Sequence, residues 1–140
     1  GQPAPEISGT DLDGQPMKLS DYRGQTVVLH YWEGTMHDFQ RIEELRNAFP
    51  SDDIAIVGIC TNKSIADALA AAKNLPESIR HWHDPDRQIH SRWCDSWPCS
   101  QVIDRHGTII YLGRSRSHQQ LAGALERTQK EPKVASVSVE

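Results

Sequence analysis

The chain has 140 residues and a net charge of −4, with acids and bases interspersed, so one domain is the expectation. With 37% hydrophobic residues it can build a packed core. There is no basic stripe, no lysine-rich face and no apolar run near the roughly 20 residues that span a bilayer, which argues against nucleic-acid binding and membrane insertion. Three cysteines, Cys60, Cys94 and Cys99, are too few for a disulfide scaffold. The sequence begins at Gly1 without an initiator Met, as expected of a processed export product or a domain cut from a longer protein.

Taken in order, residues 2–24 are rich in Pro, Gly and Asp, and Asp13-Gly14 signals a turn. It lies between Ile7-Ser8 and Met17-Lys18-Leu19 and predicts a short N-terminal hairpin. Thr26–Trp32 (TVVLHYW) is β-branched and aromatic and carries no acid, Lys or Arg, as a buried central strand does. A helix should follow, capped by Thr35 with Asp38 three residues on. Phe39, Ile42, Leu45 and Phe49 then recur at helical spacing until Pro50. Ile54–Cys60 (IAIVGIC) is a second buried strand. Ser64, with Asp67, caps a helix running to about Asn74. This β-α-β-α order predicts a parallel sheet core.

The second half reads differently. His81 and His83 would share one face of a strand, and Asp84-Pro85 opens a short helix. Ser100–Ile103, the turn Asp104–Gly107 and Thr108–Leu112 form an antiparallel hairpin. Ser117 to about Thr128 is a closing helix with Leu121, Ala124 and Leu125 inward. The expected domain is therefore 1–129, with 130–140 as a flexible polar tail.

The element order, together with Gly1-Gln-Pro-Ala-Pro, Asp13-Gly14, Leu19-Ser-Asp-Tyr-Arg-Gly24, Val27-Val-Leu-His-Tyr-Trp32 and Trp97-Pro98 followed by Val102-Ile-Asp-Arg-His-Gly107, resembles the redoxin superfamily over about residues 2–128. That superfamily includes the TlpA-like thiol–disulfide oxidoreductases and the AhpC/TSA peroxiredoxins. The resemblance implies an α/β, thioredoxin-like fold: a central mixed sheet flanked by helices, with an N-terminal β-hairpin extension. It also implies a cis peptide bond between Trp97 and Pro98. TlpA-like relatives run from this first strand into Trp-x-x-x-Cys-x-x-Cys. Here the stretch reads Trp32-Glu-Gly-Thr-Met36-His-Asp-Phe39, so Met36 and Phe39 occupy the cysteine positions. The peroxidatic cysteine of peroxiredoxins falls near the first of these and is missing as well. A helix N-terminus favours a thiolate there, but Met cannot ionise and Phe cannot resolve a mixed disulfide.

Other residues present alternatives. Cys99 follows the expected cis-proline and reads either as a relocated thiol or as a small space-filler. Cys94 reads as a core thiol or as a disulfide partner for Cys99; Cys60 reads as core. His81 and His83, with Asp84 close by in sequence, find no third ligand at convincing spacing, so no metal is expected and the simpler reading is a solvated strand edge. Glu33, His37 and Asp38 crowd the family's active-site position, where Asp38 serves as a cap. Trp32, Thr35, Met36, Trp97, Pro98 and Cys99, with Trp93 nearby, outline a groove of the kind that in relatives receives an extended peptide by strand-like pairing.

The expectation is a domain of redoxin type without its catalytic cysteines and without a cofactor, serving as a protein- or peptide-binding or structural domain. The alternative is a thiol enzyme or redox sensor built on Cys99, with or without Cys94. By analogy with the family, the setting is exported and periplasmic, or part of a larger bacterial protein.

Overall fold

A computed structural model describes residues 2–32, 39–48, 53–84, 99–113 and 118–130. The expected Thr35–Asp38 cap, the helix after Asp84-Pro85, the Trp97–Pro98 bond and the tail beyond Lys130 lie outside these residues, as do Glu33, His37, Trp93 and Cys94.

The predicted hairpin forms as β2 (Ser8–Thr10) and β3 (Pro16–Lys18), a two-stranded sheet of its own, with a 3₁₀ turn at Leu19–Tyr22 behind it. Gly14, at φ 81°, takes the left-handed conformation that its turn demands. The central sheet contains β1 (Gln2–Pro3), β4 (Thr26–Trp32), β5 (Ile54–Cys60), β6 (Arg80–His83), β7 (Cys99–Ile103) and β8 (Thr108–Gly113), in the spatial order β1-β8-β7-β4-β5-β6. β4, β5 and β6 are parallel, whereas β7 and β8 return antiparallel, which makes the mixed sheet implied by the resemblance. The helices described are α1 (Phe39–Asn47), α2 (Ile65–Ala72) and α3 (His118–Lys130).

Local signals explain most of these boundaries. The Ser64 hydroxyl accepts the Asp67 N–H at 3.3 Å and so starts α2. The Asp104 carboxylate accepts the N–H groups of His106 and Thr108 at 2.9 and 3.0 Å, and Gly107 at φ 87° closes the β7–β8 turn. Two boundaries differ from expectation. α2 gives way to a turn after Ala72 rather than near Asn74, and α3 runs two residues past Thr128 to Lys130.

Because side chains alternate along a strand, β4 feeds two cores. Val28 and Trp32 pack with Phe39 and Ile42 of α1, Ala68 of α2, and Leu121 and Leu125 of α3. Val27, Leu29 and Tyr31 pack instead with Ile7, Met17 and Leu19 from the N-terminal segment and with Trp82 of β6. The N-terminal hairpin is therefore a lid on the sheet face opposite α1. Its attachment is polar as well as apolar: the Trp82 indole donates to the Met17 carbonyl at 2.9 Å.

Asp11 makes the second attachment. Its carboxylate accepts N–H groups from Asp13 and Gln15, both at 2.9 Å, and holds Arg80 at 2.6 and 3.1 Å. Burial raises this carboxyl, but the Arg80 bonds and the two backbone donors outweigh it and leave it below the usual carboxylate range. The stabilisation is thus complete above about pH 4 and is lost as pH falls through the lowered folded value. Asp11→Asn should cost about 2 kcal/mol in urea denaturation at pH 7. It should cost less as pH falls below about 4, and an equal cost at neutral and acid pH would contradict this assignment.

Candidate functional site

The site is built where β4 ends and α1 begins. β4 places His30 and Trp32 on the α1 face, two residues apart. His30 lies opposite Ser100 of β7 on one side and Gly58 of β5 on the other, and Gly58 in turn lies opposite His81 of β6. Ser100, His30, Gly58 and His81 therefore form one row across four strands. Trp32, Cys60 and His83 form the next row.

Gly58 is the gap that lets this arrangement close. A Cβ there would lie 2.0 Å from His81 Nδ1 and 2.9 Å from Trp32 Nε1. With no side chain in the way, the Trp32 indole N–H donates to His81 Nδ1 at 3.0 Å. An indole nitrogen only donates, so His81 Nδ1 is bare and the neutral ring carries its proton on Nε2. On the other side of the row, His30 Nδ1 and Ser100 Oγ are hydrogen-bonded at 2.7 Å.

Phe39 closes the cluster from above. It is the first described residue of α1 and is fully buried. Its ring meets His30, His81 and Trp32 nearly edge-on, with centroids 4.9, 5.3 and 6.0 Å apart. Phe39 is thus part of the core, seated on two imidazoles and an indole.

Neighbouring polar groups are similarly occupied. The Tyr31 phenol, on the opposite face, donates to Gln101 Oε1 at 3.0 Å. Burial, and then the charge of Asp84, push that phenol far above its ordinary range, so it stays protonated. The Cys60 thiol is fully buried and donates to Asn62 Oδ1 at 3.2 Å, the core role expected of it. His83 Nε2 donates to the Asn62 carbonyl at 2.8 Å. Among the described residues, no three His, Cys, Asp or Glu groups converge as metal ligands.

One expectation needs correction. β6 is an edge strand, and His81 and His83 do share a face, but His81 is not solvated: it is 5% exposed. The Gly58 gap draws its ring inward, and the Trp32 N–H satisfies it there. Trp32 is also fully buried, so at this level it forms a floor beneath the site. Cys99 opens β7 with its backbone opposite Tyr31. Thr35, Met36, Trp97 and Pro98 lie outside the described residues.

His30, Gly58 and Ser100 were not singled out from the sequence. Two signals for them were present. His30 is the one histidine in TVVLHYW, and Gly58 interrupts IAIVGIC, where an interior strand glycine marks a close approach.

The AhpC/TSA family model matches residues 1–112. No curated protein sequence matches the chain. Among solved structures, one from Chlorobium tepidum named for the thiol:disulfide interchange protein DsbE is 20% identical with a TM-score of 0.78, covering 91% of this chain and 96% of that one. The thioredoxin domain of a thiol-disulfide oxidoreductase from Bacteroides vulgatus is 22% identical with a TM-score of 0.73, covering 91% and 95%. A secreted disulfide oxidoreductase from Mycobacterium tuberculosis is 19% identical with a TM-score of 0.69, covering 86% and 95%. At these identities the structural likeness speaks for the thioredoxin-like fold, and the family model speaks for descent. The chain belongs to the AhpC/TSA family.

Proposed function

We propose that this is a redoxin domain that no longer exchanges disulfides and instead holds an extended protein segment at the old active-site groove. The observation that carries the reading is the burial of Phe39 against His30, Trp32 and His81. Where a resolving thiol would have to reach a mixed disulfide, this chain has a packed ring. Met36 at the first cysteine position supplies no nucleophile either.

The groove in this proposal is the one the family resemblance assigns to Trp32, Thr35, Met36, Trp97, Pro98 and Cys99. Strand-like pairing to the backbone at Pro98 needs no thiol. No cofactor takes part. Solved relatives described as secreted, or as an exposed lipoprotein, support an exported setting for this chain too.

An insulin-reduction assay with dithiothreitol tests the redox half of the proposal. The expected rate equals that of the control without protein, and turnover clearly above it would overturn the reading. Unstructured, cysteine-free peptides test the other half. Binding should perturb the NMR signals of Met36 and Cys99, whereas silence across a diverse set would reduce the domain to a structural spacer.

A further inference from the structure

We infer that this chain pairs with a second copy of itself through the outer face of α2, the two helices running antiparallel about a two-fold axis at Ala70. The inference is independent of whether the family's active-site groove holds a peptide here.

The composition of α2 is the first observation. Ile65–Ala72 reads IADALAAA, with Asp67 as its one polar residue. A helix that is apolar on nearly every side is ordinarily covered on nearly every side. Here Ala68 is buried and Ala71 and Ala72 are half-buried, but the rest of α2 is exposed. Ile65 and Leu69, one turn apart on one flank, are 45% and 40% exposed. Among the described residues they are the large hydrophobic side chains left in water.

A hole of matching character lies on the same flank. A cavity of about 610 Å³ opens between the end of α2, the Asp11–Asp13 turn and the segment leading into β6. Leu69 borders it from α2, and Leu12, Leu75, Pro76 and Ile79 continue its apolar wall. Charged side chains line it as well: Asp13, Lys73, Glu77 and Arg80, the last held by Asp11 at 2.6 Å. The chain thus carries an apolar knob at the start of α2 and an apolar hole at its end.

Charge complementarity identifies the occupant as a second copy. With the two-fold at Ala70, Ile65 of one copy comes level with Leu75 of the other, in the wall of the hole, and symmetry repeats the contact in reverse. Lys63, just before the Ser64 cap, comes level with Glu77. Asp67 comes level with Lys73. All four charges are exposed, and each meets its opposite. Parallel helices about a two-fold would instead set each charge against its own kind. The antiparallel arrangement also fills both holes at once and closes the assembly at two chains.

Sedimentation velocity on the intact chain tests the pairing, with reductant present to exclude intermolecular disulfides. The mass should rise from one chain to two over a dilution series in the micromolar range, and no further. Leu69→Glu should weaken the association about tenfold or more, because it sets a carboxylate beside the axis of an apolar contact. Ile65→Glu serves the same purpose if Leu69→Glu does not fold. Lys63→Glu and Glu77→Lys should each weaken the pairing and, combined, restore it. A chain that stays monomeric throughout overturns the inference and leaves the face to a different protein. A dimer that Leu69→Glu or Ile65→Glu leaves intact, a mass beyond two chains, or a charge swap without loss and recovery overturns it as well.

Discussion

Met36→Cys combined with Phe39→Cys should yield a folded but weakened protein that gains disulfide-exchange chemistry. The loss comes from position 39. Removing a fully buried Phe ring costs about 3–5 kcal/mol, and here three aromatic neighbours lose a partner at once. The gain comes from the helix start, where free N–H groups and the dipole stabilise a thiolate. The first thiol should titrate below the free-cysteine value of about 8.5. Insulin reduction should rise above control in the double variant and in neither single variant. If both thiols titrate near the free value, the family's active-site geometry does not survive in residues 33–38.

Gly58→Ala should be nearly as damaging, although it adds only a methyl group. Its Cβ would fall 2.0 Å from His81 Nδ1 and 2.7 Å from Cε1, far inside contact distance. The His81 ring must shift, the Trp32 N–H loses its acceptor, and the edge contacts of Phe39 go with them. Overpacking of this kind costs about 1–3 kcal/mol, and an unbonded buried donor costs about 1–3 kcal/mol more. Chemical denaturation should locate the total at about 2–6 kcal/mol by these terms. Gly123, whose Cβ would meet nothing within 4 Å, is the control: Gly123→Ala on α3 should be neutral or mildly stabilising. A Gly58→Ala variant as stable as that control would mean that the row is not closed as described.

Much of the fold was legible because its signals are local. The Ser64 cap, the Asp13-Gly14 turn and the Asp104–Gly107 turn each act over four or five residues, and each lies where the sequence puts it. TVVLHYW and IAIVGIC carry enough apolar β-branched character to be buried strands in any arrangement. β1 was not legible. Two residues, Gln2 and Pro3, carry no pattern, and their pairing with Ile109 and Thr108 depends on a strand more than a hundred positions away.

The candidate site was legible in its absences and hidden in its contacts. Met36 and Phe39, where the resemblance leads one to expect cysteines, could be read off directly. The cluster around Phe39 could not, because a histidine reads as polar until its partner is known. Trp32 and His81 are 49 residues apart, His30 and Ser100 are 70 apart, and Gly58 joins them by what it lacks. Long-range pairs of this kind depend on sheet register, which a single sequence leaves open.

The central claim is that the domain has no disulfide to make or break. It is tested most directly by equilibrating the folded protein in glutathione buffers from strongly reducing to strongly oxidising, quenching with acid, and alkylating under denaturing conditions before mass measurement. Three alkylated cysteines, Cys60, Cys94 and Cys99, are expected at every potential in the biological range. A transition to one alkylated cysteine within that range, with Cys94 and Cys99 joined, would contradict it.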